Sequence, residues 1–496
     1  MIPLLTSDEM RAADERTIRG GVPARVLMES AGRACADEVM AHCRPGDVVG
    51  IVCGTGNNGG DGLVVARLLH RAGWRAWLLV VGGEDELKAD PRAMLESARV
   101  AGVPLRFAPD EAAVHAEAAA LRDCTLVVDA LFGTGLARAV TGRFSAAIAA
   151  VNAAPAVLAV DLPSGVHTDT GVSLGCSVHA RWTVALAALK RAHALVPGAD
   201  RCGEVSVVDI GIPVPPEVPC QGFGGVDARR WHKPRAMGAH KGSAGHVLVV
   251  GGSMGMTGAA VLAARGALRG GAGRVTALRL PGAEAPHAPE VTTVMLDPAA
   301  LGAWVVQHRI PALVVGPGLA VDERGREWLT AALAAGTPCV LDAGALALLG
   351  TDLGALAGRG GLVLTPHPAE LARLLGCSTE SVMADRVGSA CRAAETAGAV
   401  VIHKGARSVV ALPGGRSRVC LGGHPVLATG GTGDVLAGMV GALLGRGLTA
   451  EDAASLGVFL HARAGELCAA ALGPEGVLAS EIADRVPAVF RELESA

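Results

Sequence analysis

Three stretches of this chain combine residue types and spacings that chemistry could use. The first, IVCGTGNNGGDGLVVARLL from Ile51 to Leu69, runs an apolar segment into Gly54-x-Gly56-x-x-Gly59 and out into a helical pattern. Glycines at such a turn let backbone approach a phosphate, and the helix start offers N–H groups to hold it. The filling departs from an ordinary dinucleotide loop, because Asn57, Asn58 and Asp61 stand where small or apolar residues are usual. Their oxygens could take a cation or a sugar hydroxyl. In the second, Asp129 of VVDALFGTGLARAVTGRF and Asp161 of AVDLPSGVHTDTG each end an apolar run before a glycine-rich loop. Strand ends of one polarity open on one crevice of a parallel sheet, so Asn58, Asp129 and Asp161 are expected to converge there, although such an Asp can also serve as a turn cap. The third, ATGGTGDVLAGMVGALLG, sets Gly430, Gly431, Gly433 and Asp434 at the start of an apolar helix, where unpaired N–H groups and the helix dipole favour an anion. It lacks the Gly-Lys-Ser/Thr ending of a Walker loop.

The elements that must position these residues repeat one grammar of strand, glycine loop and helix. Thr6-x-x-Glu9 reads as a capping box opening a first helix. VVGIVC, RAWLLVV with Glu84 beyond it, CTLVVDAL, AVLAVDLP and WTVALAAL are near-continuous apolar runs, as expected of strands buried on both faces of a parallel sheet. The proline-rich IPVPPEVPCQGFGG interrupts the grammar, which restarts with GHVLVVGGS, GRVTALRL, PALVVGPGL, PCVLDAGAL, GLVLTPHPAEL and AVVIHKGARSVVAL. Two α/β domains follow, 1–211 and 233–496, joined by a linker over 212–232.

Composition narrows the function classes. A formal charge of -3 over 496 residues gives no sign of a polyanion-binding surface, so no nucleic-acid partner is expected. Twelve scattered cysteines without a C-x-x-C pair suit reduced thiols, and MIPLLTSDEMRAADERT lacks the basic start of a signal peptide, so the expected location is cytoplasmic. Val247 to Ala264 is uncharged, but its glycine-rich centre GGSMGMTG speaks against a membrane span. Gly251-Gly252-Ser253-Met254-Gly255 matches G-x-S-x-G, yet a nucleotide or substrate loop explains it better than a hydrolase nucleophile. Glu29, polar among apolar helix residues, is assigned to capping or to a subunit contact in a homo-oligomer.

GTGNNGGDG, VDALFGTGL and DLPSG, in this order, resemble the epimerase domain of the NAD(P)H-hydrate repair family over essentially the whole first domain. The resemblance implies a Rossmann-like fold and, as substrates, NADHX and NADPHX, the cofactors hydrated at C6 of the nicotinamide ring. It implies hydrate contacts from Asn57, Asn58, Gly59, Gly60 and Asp61 and from Gly133, Thr134, Gly135, Leu136, Ala137, Arg138 and Ala139. Asp161 becomes the acid/base candidate, and Asn58, Asp129 and Ser164 the oxygen donors to a potassium ion. Some relatives place a Lys near Arg138; an Arg stays charged and suits a phosphate or carboxylate clamp instead.

GGTGD resembles the anion hole of ribokinase-like kinases, and with HKGSAGHVLVVGGS, GPGL, TPHPAEL and HKGA the likeness narrows to the ADP- or ATP-dependent NAD(P)H-hydrate dehydratase domain, from about Lys233 to Ala496. The fold implied is two three-layer αβα domains, the second ribokinase-like. Implied hydrate contacts are Ala259, Gly318, His367 and Asp434; implied nucleotide contacts are Lys404, Gly405, Ala406, Arg407, Ser408 and Gly433, with Mg2+ accompanying ADP or ATP. Asp434 would deprotonate the C6 hydroxyl for phosphorylation and elimination. His367 could instead simply order its loop, and Lys404 could be a solvated strand-end charge. Gly344 and Ala347 in DAGALA replace an acid and an amide common in the family, and Ser243 replaces a common Asp. The alternatives are a ribokinase-like vitamin-precursor kinase fused to a dinucleotide-binding domain, and a nucleotide sensor without turnover.

Overall fold

Parallel strands with helices between them are what the sequence grammar demands, and the computed structural model, which describes residues 1–283 and 288–495, contains two such sheets. The chain divides into two compact units, Ile2–Cys220 and Gln221–Ala496. Residues 212–219 carry no helix or strand, whereas Gly225–Trp231 is helical.

In the first unit seven parallel strands lie in the order Leu105–Ala108, Arg75–Val81, Val48–Cys53, Leu126–Ala130, Val157–Val160, Trp182–Leu186 and Glu204–Val208. Connections run outward in opposite directions from the pair Val48–Cys53 and Leu126–Ala130, so the topological switch point lies between them. Ile51, Val52, Cys53, Val127, Val128 and Ala130 are all buried, as strands covered by helices on both faces must be. Helix Ser7–Arg19 opens with the expected box: Glu9 N–H donates to Thr6 Oγ1 (3.2 Å) and Thr6 N–H to Glu9 Oε2 (2.7 Å).

In the second unit the order is Thr292–Val294, Arg274–Leu278, His246–Val250, Ala312–Val315, Cys339–Leu341, Leu362–Leu364, Val400–His403, Val409–Ala411 and Ser417–Cys420. The first seven are parallel and the last two run antiparallel, and Cys220–Phe223 follows Ser417–Cys420 in the sheet. Val247–Ala264, the uncharged stretch, is a strand, a loop and half a helix, and no helix among the described residues is long and apolar enough to cross a membrane.

The helix carrying Asp434, Thr432–Gly445, is fixed by glycines. A Cβ on Gly438 would lie 1.9 Å from Ala263 O, and one on Gly266 of the neighbouring helix Thr257–Arg269 would lie 2.2 Å from Val435 O. The two backbones therefore touch, and the helix cannot rise from its seat without opening the core. A Gly438→Ala variant is expected to lose about 1–3 kcal/mol to overpacking, read as a lower denaturation midpoint of the full chain. An unchanged midpoint would show that the helices can part at no cost.

Candidate active sites

The switch point of the first sheet opens into a cavity of about 850 Å³, within the range that encloses a cofactor-sized ligand. Asn57, Asn58 and Asp61 line it from the start of helix Asn57–Arg71, and Gly133 to Arg138 form the opposite lip. Asp161 lines it too. Gly59 and Gly60 do not; they pack the turn, where a Cβ on Gly59 would sit 1.9 Å from Gly54 O and one on Gly60 2.5 Å from Met28 Sδ. Ala139 is exposed beyond the lip. Glu84, which a ribose-binding acid would resemble, is an exposed carboxylate held by Arg99. Glu29 is not a cap: it binds the Arg67 guanidinium at 2.5 Å, clamping helix Ala24–His42 to helix Asn57–Arg71.

Asp161 is unusually constrained. Its φ of +67° is left-handed, a region that costs a non-glycine residue free energy and is held only by over-determined surroundings. Its N–H donates to Val184 O (2.9 Å), and its carbonyl accepts from His193 Nε2 (2.8 Å). Its carboxylate pairs with the Lys190 ammonium, which also donates to Leu186 O at 2.7 Å. Lys190 is only 1% exposed and Asp161 7%. Lys190 N–H donates to His193 Nδ1 (2.8 Å), so the ring proton resides on Nε2, and burial first, then the Lys190 charge, pushes His193 down to about 4 and keeps it neutral. Asp61 departs from an ordinary carboxylate: burial, reinforced by the charges of Asp161 and Asp14, raises it well above the usual range. Lys190 and His193 went unselected in the sequence, although Lys190 stands, like Asp129 and Asp161, close behind an apolar strand.

Beneath the lip, Asp129 is fully buried. It accepts from Ser164 N–H (2.8 Å), Ser164 Oγ–H (2.7 Å) and Leu131 N–H (3.3 Å), yet burial still pushes its carboxyl up to about 6, and no cationic side chain faces it among the described residues. The Phe132–Gly133 turn lies beside it, with Phe132 N–H on Ser164 Oγ (2.9 Å). Asn58 Oδ1 is 3.0 Å from the position of a Cβ on Gly133, and Asn58 Nδ2 is buried without a partner. A buried carboxylate lacking a counter-charge beside hydroxyl and amide oxygens is a donor set suited to a hard cation.

The second unit gathers its groups around Asp434. Gly431 has φ +89° at the helix start, and Asp434 follows in the first turn. Burial first, and then the charge of Asp342, pushes the Asp434 carboxyl up to about 7 against the opposing pull of Lys404. Lys404 Nζ binds Asp342 Oδ1 at 2.7 Å and stands 3.8 Å from Glu370 Oε2 and 3.2 Å from where a Cβ on Gly433 would be. Burial alone would lower its proton affinity; the Asp342 and Glu370 charges outweigh this and hold it above its ordinary value. Lys404 is therefore an organised charge at the mouth of the glycine turn. Gly405 and Ala406 beyond it are exposed, with Ser408 Oγ–H donating to Gly405 O (3.1 Å) and Arg407 left-handed at φ +52°.

His367 does order its loop: its Nδ1 accepts from Ala369 and Glu370 N–H (3.2 and 3.4 Å), capping helix Pro368–Leu375, while the ring stays 52% exposed. Gly318 and Ala259 meet where the loops after His246–Val250 and Ala312–Val315 face each other, the Gly318 Cβ position being 3.2 Å from Ala259 Cβ. Ser253 ties these loops, its N–H to Gly318 O (2.8 Å) and its Oγ accepting from Ala320 N–H (2.9 Å), which is loop work and not nucleophile work. Asp342 and Glu370 were not singled out in the sequence; Asp342 had the signal of an acid directly after a strand. Gly344 leaves no room for a side chain, for a Cβ there would meet Leu319 O at 2.1 Å.

Comparison with known proteins finds two family models along the chain, one matching within each unit. Residues 24–192 match the family model described as YjeF-related protein N-terminus, and residues 247–488 that described as NAD(P)H-hydrate dehydratase. The chain is 38% identical to the bifunctional NAD(P)H-hydrate repair enzyme Nnr of Moorella thermoacetica, over 99% of this chain and 97% of that protein. It is 37% identical to the protein of the same name from Salinibacter ruber, over 99% and 96%. A solved ribokinase-like superfamily protein from Enterococcus faecalis, 24% identical with a TM-score of 0.50, covers 55% of this chain and 96% of its own, a likeness of fold. Relatives this close along nearly the whole length place the chain in the family of bifunctional NAD(P)H-hydrate repair enzymes.

Proposed function

We propose that this chain epimerises R- and S-NAD(P)HX in its first unit and dehydrates S-NAD(P)HX to NAD(P)H in its second at the expense of ATP or ADP. The observation that carries this reading is that a single chain holds two unlike carboxylate centres. One is an Asp161–Lys190 pair facing a dinucleotide-sized cavity, the other an Asp434 poised near neutrality beside a glycine-rich helix start.

At the first centre, departure of the C6 hydroxyl as water leaves an iminium between C6 and the ring nitrogen, and water returning on the other face gives the second epimer. Asp61, whose proton affinity burial raises, donates to the departing hydroxyl; Asp161, fixed by Lys190, opposes the iminium charge and accepts the proton of the returning water. Asn58, Asp129 and Ser164 would hold a potassium ion, which supplies a fixed positive charge near the helix start.

At the second centre Asp434 takes the proton of the C6 hydroxyl as that oxygen attacks the terminal phosphoryl group. The N–H groups of the Gly430–Gly433 turn and the Lys404 ammonium meet the phosphoryl oxygens. The phosphate then leaves with the C6–O electron pair, and loss of a C5 proton restores the dihydronicotinamide. Among the described residues no group of three His, Cys, Asp or Glu side chains is arranged to hold a metal, so Mg2+ is expected to arrive on the nucleotide phosphates and neutralise their charge, with Asp342 and Glu370 at hand.

The test is a mixed R and S hydrate of NADPH with Mg2+ and ATP or ADP, following dihydronicotinamide absorbance and epimer composition together. Absence of nucleotide-dependent recovery would sink the dehydratase reading. Asp434→Asn is expected to slow dehydration by about 10²–10⁴ and to leave epimer exchange intact, while Asp161→Ala does the reverse. Because Asp434 acts as the anion, the wild-type dehydration rate should rise with pH through about 7 and fall with one-proton slope below it. A flat profile across that range would remove Asp434 as the base. Lys190→Met strands a buried carboxylate, so about 3–5 kcal/mol of stability should be lost, and Asp161→Asn added to it should restore most of this without restoring epimerisation. Calorimetry of wild type and these two variants reads the stabilities, and the epimer assay reads the activity.

A further inference from the structure

Beneath the exposed Lys404–Ser408 loop lies a charge that the reaction scheme above does not use. Arg386, the first residue of helix Arg386–Ala397, is 2% exposed. Its Nη1 donates to Ala406 O (2.7 Å), and its Nη2 lies 3.1 Å from the position of a Cβ on Gly405. Nη2 and Nε are both buried without a hydrogen-bond partner. No carboxylate pairs with it among the described residues: neighbouring Asp385 caps Gly388 N–H (2.8 Å) and faces Arg392 at 3.8 Å, while Asp342 and Glu370 are taken by Lys404. The ring behind it gives no anion either, since His403 is fully buried, has an unpartnered Nε2, and is pushed down to about 4 by burial and by the Arg386 charge itself. Burial lowers Arg386 only to about 10, so it is a cation at neutral pH.

An unpaired buried cation is costly, and its place at a helix N-terminus adds the dipole's repulsion. An apolar side chain of the same length would fill the space at lower cost. The missing anion must therefore come from outside, and the open side of this loop is where the nucleotide is placed by the function proposed above.

We propose that Arg386 is a positioning residue of the nucleotide site, whose guanidinium under Gly405 and Ala406 supplies the positive charge that draws the phosphates of ADP or ATP onto the Lys404–Ser408 loop. It acts through the loop, not by touching the reacting atoms. The inference rests on the reading that this loop receives the nucleotide. It predicts an uncommon pairing of effects: removing the charge relieves the empty protein while weakening the nucleotide.

The experiment is titration calorimetry of full-length wild type, Arg386→Met and Arg386→Lys with ADP, ATP and NADPH, alongside thermal denaturation without ligand and dehydration kinetics. Arg386→Met is expected to bind ATP and ADP about tenfold or more weakly, with NADPH affinity unchanged and a melting midpoint at or above that of wild type. Its KM for nucleotide rises while kcat at saturation stays within about threefold, and Arg386→Lys stays near wild type in affinity. Unchanged nucleotide affinity in Arg386→Met would overturn the proposal, as would equal weakening in both variants with a lowered midpoint, which marks lost loop geometry and not lost charge. A loss confined to NADPH would also overturn it. Wild type that binds neither nucleotide would instead overturn the reading on which the proposal rests.

Discussion

Lys190 and Asp161 meet with almost no access to water, and much of the first centre follows from keeping that contact intact. A buried ion pair is secure only when its remaining hydrogen-bonding capacity is filled. Leu186 O takes a second ammonium proton, and the backbone at Asp161 is turned into the left-handed region. That turn is held from both sides by Val184 and by a neutral His193 whose other nitrogen is fixed by the Lys190 amide. The negative charge so secured then acts on its neighbour, adding to the burial that raises Asp61 above the usual carboxylate range. The salt bridge, the left-handed turn and the His193 tautomer thus share the same two residues, Asp161 and Lys190.

The second unit reaches a poised carboxylate by a different route. Lys404 is shared between Asp342 and Glu370, so it tempers Asp434 without fully neutralising it, and burial is left to bring that carboxyl near 7. The contrast is chemical as well as structural. The first centre pairs its carboxylate directly with a cation, whereas the second keeps its cation one step away, bound to Asp342 and near Glu370.

Much of this was legible in the sequence because it depends on local rules. Apolar runs ending in Asp129 and Asp161, the glycines before Asp434 and the Thr6–Glu9 box are patterns within a few residues, and the strands and helix starts stand where those patterns put them. What was hidden is pairing across strands. Nothing near Lys190 says that its partner is Asp161, because the contact is set by the register Val160↔Val184 between neighbouring strands. The same holds for Lys404 with Asp342. His367 was legible only as a choice between two roles, and its ring, capping its own helix, shows the loop-ordering one directly.

The contact between Gly344 and Leu319 O reaches beyond one residue. In this chain the Gly344 segment and the Leu319 segment interlock like tongue and socket. Any side chain placed at position 344 would find its berth taken by a carbonyl, so the two segments would have to part before it could enter.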